Sequence, residues 1–146
     1  MHGVTLGELL TGIVIIGIIT GLGVPNAVAL GDRLAVERQT AAVMHGYQHA
    51  RLAALTTLQP ARLTVRPERM TVYLLGSRGG VPDSSLAWEA PGVAGQGVVL
   101  RSSPGPVTIV PSGLATGVAN GRYILEKGGI SRTLIVSRLG RLRIDR

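Results

Sequence analysis

The sequence predicts an α+β fold in which one long N-terminal helix packs on antiparallel β-sheet. Residues 9–31 form an apolar run without a charged side chain, and apolar residues recur at helical spacing over residues 33–58. Short strand-like segments separated by Gly and Pro follow Pro60. Because an amphipathic helix and a sheet each bury one face, we expect the two to share one core.

The first half of the predicted helix is long enough to span a membrane, since a spanning helix needs about 20 apolar residues. Glu8 stands at the entrance of the uncharged run. A carboxylate is costly in hydrocarbon, so an acid in this position is a functional hypothesis by default. A secretory signal peptide and an ordinary single-pass anchor are the alternatives. The first requires a basic flank, which Met1, His2 and Gly3 do not supply, and the second leaves Glu8 unexplained.

The second half, residues 32–58, is predicted to be amphipathic and to end before Pro60. Pro25 removes one backbone hydrogen bond and predicts a kink or local melting. Pro25 is either a residue that membrane helices tolerate or a weak point at which a filament subunit bends. The predicted buried stripe consists of Val36, Val43, Tyr47, Ala50, Ala54 and Leu58, with Arg33, Glu37 and Arg38 on the polar surface.

The remainder of the chain is predicted to form antiparallel strands joined by hairpins. Residues 76–85 and 91–97, which are rich in Gly, Ser and Pro, are predicted loops. The predicted strands are 62–65, 70–75, 86–88, 98–101, 107–110, 123–126, 133–136 and 141–144.

Composition restricts the chemistry of the chain. There is no Cys, which excludes disulfides, thiolate metal sites and thiol catalysis. There is no Phe, so the core must be mainly aliphatic. His45 and His49 have a metal-chelating spacing but lack a third ligand, so we predict no metal. Gly95-Gln96-Gly97 lacks the context of a dinucleotide loop and Ser112 is not in a nucleophile elbow, so we predict no cofactor and no enzyme. The net charge of +7 is carried almost entirely by Arg, whose planar fork suits phosphate and lipid headgroups.

Four segments resemble a known family. Gly3-Val4-Thr5-Leu6-Gly7-Glu8 resembles the start of type IV pilins and pseudopilins, in which a Gly, a cleavage point and a Glu precede the membrane helix. Further along, Ala50-Arg51-Leu52-Ala53-Ala54, residues 107–113 and residues 132–144, which contain a Gly-Arg-x-Arg element, are similar to segments of the GspH/FimT minor pilins and pseudopilins.

This resemblance implies a leader of residues 1–3, a membrane half of the helix at 4–31, an amphipathic half at 32–58 and a β domain at 59–146. It implies that a prepilin peptidase cuts between Gly3 and Val4 and methylates the new amine. Glu8 would then pair with the amine of a neighbouring pilin, with Pro25 as the second assembly residue. The implied location is the inner membrane, crossed once with the β domain outside the cytoplasm, and later a pilus or pseudopilus fibre.

The C-terminal arginines form the second predicted site. Arg141 and Arg143 share one face of a strand because side chains alternate with period two. Gly140 precedes them in a turn expected to leave backbone amides accessible, and Arg138 is expected to join a phosphate clamp. In FimT-type proteins the Gly-Arg-x-Arg element looks like the site that binds DNA in natural transformation. The resemblance therefore implies binding of double-stranded DNA without sequence preference. A solvated edge strand and a protein partner are the alternatives.

Three functions are compatible with the sequence. The first is a minor pilin of a type IV pilus or competence pseudopilus that contacts DNA. The second is a minor pseudopilin of a type II secretion system, and the third is a membrane-tethered receptor or adhesin.

Overall fold

The computed structural model describes residues 5–102, 104–117 and 121–145, without the side chains of residues 22–25. The predicted cleavage residues Gly3 and Val4 lie outside these ranges. A helix, α1 (Leu6–Thr57), precedes nine strands in the described ranges. They are β1 (Ala61–Val65), β2 (Arg69–Arg78), β3 (Val81–Pro91), β4 (Val99–Ser102), β5 (Val107–Ile109), β6 (Ala115–Thr116), β7 (Gly121–Lys127), β8 (Ile130–Val136) and β9 (Leu142–Asp145).

Helix α1 is continuous over 52 residues. Of the two consequences predicted at Pro25, a kink or local melting, the melting does not occur, because a proline removes a single helical hydrogen bond and the flanking turns continue across it. The predicted stripe is buried from Val36 to Ala54. Leu58 is the exception: it is 77% exposed and caps the helix in a left-handed conformation with φ 55°, which turns the chain toward β1.

The strands form two antiparallel sheets that pack their inner faces on the second half of α1. The five-stranded sheet has the order β3-β2-β1-β5-β6, and the four-stranded sheet has the order β4-β7-β8-β9. The amide of Ala115 in β6 donates to the carbonyl of Arg138, at 3.1 Å, in the turn before β9. This bond joins the edge of the first sheet to the second. The core is mainly aliphatic, as the composition predicts, with Tyr47 and Tyr123 inside it.

The loop predicted at residues 76–85 is wrong. Strands β2 and β3 continue through it as one long hairpin, and Arg78 pairs with Val81 across the two-residue turn Gly79-Gly80. Both glycines have positive φ, 61° and 83°, which is the conformation that a tight hairpin turn of this length requires. Strand β6 is absent from the predicted strands, and β9 begins at Leu142 rather than at Arg141.

Candidate assembly helix and nucleic-acid interface

The first half of α1 projects from the domain with its apolar side chains uncovered. Among residues 5–34, no side chain that the structure describes is buried. The most apolar part of α1 does not pack inside the domain. Within the described residues, α1 is the one helix long and apolar enough to cross a membrane.

Glu8 lies at the start of this helix and closes its first turn. The amide of Thr5 donates to Glu8 Oε2 at 2.9 Å, and the amide of Glu8 donates to Thr5 Oγ1 at 3.3 Å. This reciprocal pair is a capping box, in which two backbone donors at a helix start find side-chain acceptors. Thr5 Oγ1 also donates to Glu8 Oε2, at 3.0 Å. In the single chain, Glu8 therefore stabilises its own helix start while its carboxylate remains exposed.

The predicted DNA-binding arginines lie on the outer surface of the four-stranded sheet and in the turn beside it. Arg143 is in β9, and Arg138 and Arg141 flank the turn that precedes this strand. All three side chains are exposed. Within the described residues, none of the three guanidinium groups donates a hydrogen bond to another side chain, so they are available to an external anion.

Arg122 is the residue that sequence reasoning missed. Register places Arg122 opposite Ile135 in β8, and Ile135 opposite Arg143 in β9. Since neighbouring strands are about 4.8 Å apart, the Cα atoms of Arg122 and Arg143 are about 10 Å apart in one outward-facing row. Alternation within β7 places Arg122 outward, but only the β7-β8-β9 register brings it beside Arg143.

Gly140 acts differently from the prediction. Its amide donates to the carbonyl of Ser137 at 3.0 Å, and the amide of Arg141 donates to Ser137 Oγ at 3.2 Å. The amides of Gly140 and Arg141 are therefore not accessible as predicted, because the turn uses both donors itself. Gly140 is also buried, so its own backbone does not face a ligand at this site.

Two other basic residues of the C-terminal region face α1 and form ion pairs with carboxylates there. Lys127 Nζ lies 3.2 Å from Asp32 Oδ1, and an Arg132 guanidinium nitrogen lies 3.5 Å from Glu37 Oε1. The hydrogen bond from Arg33 lowers the pKa of the Glu37 carboxyl, and Arg132 adds to this shift. The basic surface is thus narrower than the sequence suggests, and it consists of Arg122, Arg138, Arg141 and Arg143.

The three downstream segments that carry the family resemblance meet at one point. A Cβ atom at Gly140 would collide with the carbonyl oxygen of Gly113 and lie 3.4 Å from the Tyr47 hydroxyl. A Cβ atom at Gly113 would lie 3.5 Å from the Arg51 guanidinium. Gly113 has φ 81° and Gly140 has φ 70°. The turn that presents the arginines is therefore fixed against the turn after β5 and against α1.

The two histidines of α1 that have a metal-chelating spacing, His45 and His49, are both exposed. His49 stacks on Trp88, with ring centroids 5.2 Å apart and an interplanar angle of 14°. The described part of the chain contains no group of three or more His, Asp or Glu side chains arranged to hold a metal ion.

A long N-terminal helix packed on antiparallel sheets is the fold of a type IV pilin, and this chain has that fold. The type IV minor pilin FimU of Pseudomonas aeruginosa strain PAO1 is similar to it in two crystal forms. The P21 form has a TM-score of 0.57 and 14% identity over 78% of this chain and 87% of FimU. The P65 form has a TM-score of 0.55 and 14% identity over 78% of this chain and 92% of FimU. No family model and no curated protein matches the sequence.

Proposed function

We propose that the protein is a minor pilin of the GspH/FimT kind, incorporated in or priming a type IV pilus or competence pseudopilus. The observation that carries this proposal is the uncovered apolar half of α1, headed by Glu8, on a domain with the type IV pilin fold. An exposed apolar rod of this length needs lipid before assembly and neighbouring helices after it. In this role the chain is a structural subunit and not an enzyme.

Processing follows from the same proposal. A prepilin peptidase cuts the chain between Gly3 and Val4, which removes residues 1–3, and methylates the new amine. Glu8 then gives up its contacts with Thr5 and pairs with the amine of a neighbouring pilin. Opposite charges attract strongly in a weakly polar environment, where either alone would be costly. Intact-mass measurement of the membrane-extracted protein is expected to show removal of three residues and addition of one methyl group. A full-length, unmethylated mass would contradict the proposal.

A co-assembly experiment tests the role of Glu8. Glu8→Leu is expected to reduce recovery of the protein in sheared fibres, whereas Thr5→Ala, which removes only the capping contact, is expected to reduce it far less. Equal recovery of Glu8→Leu and the native protein would show that Glu8 has no part in assembly.

We further propose that Arg122, Arg138, Arg141 and Arg143 bind the phosphates of double-stranded DNA during DNA uptake. Their outward position, free guanidinium groups and spacing support contacts with successive phosphates, which carry no sequence information. Tyr123 is fully buried, so the strand that carries Arg122 offers no ring for base stacking at this surface.

The test is a salt series of DNA binding by the full-length protein in detergent micelles, with two duplexes of unrelated sequence. Equal affinity for both duplexes is expected. The logarithm of the binding constant falls linearly with the logarithm of salt concentration, and Arg141→Ala/Arg143→Ala is expected to make this slope less steep by about 0.9 for each phosphate that the variant no longer neutralises. Arg122→Ala is expected to make it less steep by about 0.9, the value for one phosphate. Arg38→Ala/Arg78→Ala removes two exposed arginines elsewhere and is the matched control. Unchanged slopes in the C-terminal variants would refute the DNA site.

A type II secretion pseudopilin has the same architecture and is the second candidate. The basic outer surface of β7–β9 favours the DNA-contacting pilin, because a secretion pseudopilin has no need of phosphate contacts. Failure of DNA binding together with a processed and methylated N-terminus would favour the secretion role.

A further inference from the structure

A polar depression lies on the outer face of the five-stranded sheet, away from the C-terminal arginines. It has a volume of about 240 Å³ and is lined by Thr64, Arg66, Arg69, Thr71 and Tyr73. This volume is below the roughly 300–1,000 Å³ of sites that hold drug-sized molecules, so it suits a single ring-sized unit.

The depression has a polar floor and two different ends. Thr64 of β1 and Thr71 of β2 pair directly across the strands and form the floor. Arg69, Thr71 and Tyr73 are alternate residues of β2 and share its outer face. Since a strand advances about 3.3 Å per residue, the arginine end and the tyrosine end are about 13 Å apart. A ring lying on the threonines would therefore have guanidinium groups at one end and an aromatic ring at the other.

The arginine end of the depression has the geometry to bind one carboxylate. Arg69 already lies beside a carboxylate, with its guanidinium nitrogen 3.4 Å from Glu89 Oε1, in a long and exposed ion pair that a ligand can replace. Within the described residues, the Arg66 guanidinium donates no hydrogen bond and forms no ion pair, so it is free to share an incoming anion with Arg69.

We propose that this depression binds a carboxylate-bearing sugar residue, such as a uronic acid unit of an acidic polysaccharide. The arginines bind the carboxylate, the threonine hydroxyls bind ring hydroxyls, and Tyr73, which is 37% exposed, packs against C–H groups at the opposite end of the ring. This activity is separate from the proposed DNA site and does not depend on it.

Local charge favours a singly charged sugar over a nucleic acid at this face. Arg62, Arg66 and Arg69 are opposed by Glu68 and Glu89, so the surface lacks the excess of positive charge that tracks a phosphate backbone. Stacking platforms for single strands also use several aromatic rings, whereas Tyr73 is the one aromatic residue among those lining the depression.

The test is equilibrium binding of the full-length protein in detergent micelles to labelled oligogalacturonate, with its methyl ester and single-stranded DNA as parallel probes. The proposal expects binding to oligogalacturonate and at least about tenfold weaker binding to the neutral ester. Arg66→Ala/Arg69→Ala and Tyr73→Ala are each expected to weaken oligogalacturonate binding at least about tenfold. Arg38→Ala/Arg78→Ala, the charge-matched control, is expected to bind like the native protein.

Thr64→Val/Thr71→Val keeps the shape and strand preference of both residues and is expected to weaken binding, which separates a hydroxyl contribution from misfolding. Equal binding of acid and ester, equal weakening in the control, or Tyr73-dependent binding of single-stranded DNA alone would each overturn the proposal. Arg141→Ala/Arg143→Ala is expected to leave sugar binding unchanged, so failure of the DNA site and failure of this one are distinguishable.

Discussion

Gly140 has a structural role at the residue scale that its neighbours in the Gly-Arg-x-Arg element do not share. It has φ 70° and faces the Gly113 carbonyl with no room for a side chain. A non-glycine residue in the left-handed region costs roughly 1–2 kcal/mol, and overpacking adds about 1–3 kcal/mol. The glycine therefore fixes the position of the arginines without contacting a ligand.

We predict that Gly140→Ala destabilises the domain by about 1–3 kcal/mol more than Gly129→Ala does. Gly129 has φ 80° and open space around it, so the difference between the two variants isolates the collision with Gly113. Urea unfolding of the full-length protein in micelles, followed by the fluorescence of the single tryptophan, Trp88, measures both. Equal destabilisation would show that the Gly140–Gly113 contact is unimportant.

Two buried tyrosine hydroxyls are a second feature at this scale. Tyr47 and Tyr123 are 2% and 0% exposed, and neither hydroxyl has a hydrogen-bond partner among the described residues. Burial raises the pKa of the Tyr123 phenol far above its ordinary value near 10, and the neighbouring Tyr47 raises it further. Burial also raises the pKa of the Tyr47 phenol, and the positive charge of Arg51 partly offsets this rise.

The sign of the pH dependence follows from these raised pKa values. Below pH 10 the folded and unfolded chains both keep the phenol protons, whereas above pH 10 the unfolded chain loses them first. Stability is therefore expected to fall as pH rises above about 10. Tyr123→Phe is expected to reduce that decline and, at pH 7, to raise stability by about 1 kcal/mol by removing an unsatisfied hydroxyl. Exposed Tyr73→Phe is the control, and an identical decline in all three proteins would refute the assignment.

The sequence indicates some of these residues and not others, for physical reasons. Glu8 is evident because an acid at the entrance of an uncharged run of membrane-spanning length is costly if it enters hydrocarbon. The position of Arg122 beside Arg143 and the burial of Gly140 are not evident from the sequence, because both depend on which segments become neighbours in the fold. Alternation assigns a face to each residue, but register decides which residues share it.

At the element scale, the β7–β8 hairpin is anchored to α1 near the point where the helix leaves the domain. Lys127 and Asp32 form an ion pair whose side chains are only 29% and 19% exposed. A Cβ atom at Gly128 would collide with the Asp32 carboxylate, so the hairpin turn lies directly on this residue. The Lys127–Asp32 pair therefore fixes the β domain on α1 close to the point where the uncovered half of the helix begins.

A double-mutant cycle with Asp32→Asn and Lys127→Met is expected to give a coupling energy of about 0.5–1 kcal/mol. The Arg101–Glu126 pair is shorter, at 2.8 Å, but 61% and 35% exposed, and it is expected to couple less strongly because water screens it. Urea unfolding at low salt measures both cycles. Stronger coupling in the exposed pair would contradict the anchoring role of Asp32.

Element type is more predictable than element length. Helical spacing identifies the buried stripe of α1 because five of its positions pack on the sheets. Gly, Ser and Pro dominate residues 76–85, and a two-residue glycine turn resembles a loop in composition, which is why the β2–β3 hairpin escapes prediction there. Cross-strand pairing of the backbone, which composition does not encode, extends both strands through that segment as far as Arg78 and Val81.

For the whole molecule, the division of α1 into two environments is the governing property. Residues 35–54 pack on two sheets, while the apolar side chains before them are uncovered. An uncovered surface of this size is unusual in a soluble monomer, and under the proposed function lipid covers it first and neighbouring helices cover it after assembly. The length of the uncharged run at residues 9–31 predicts this division, because neither the length nor the lack of charge depends on tertiary contacts.

Membrane insertion by this segment is the last prediction. Ile18 lies near the middle of the uncharged run and is 56% exposed. Ile18→Arg places a charge near the bilayer centre, where insertion scales assign roughly 2.5–3.5 kcal/mol. We expect a large fall in the fraction that resists alkaline extraction from membranes. Leu52→Arg adds the same charge to the far end of α1, at a residue 60% exposed, and is expected to remain membrane-bound. Equal behaviour of the two variants would mean that the first half of α1 is not the membrane anchor.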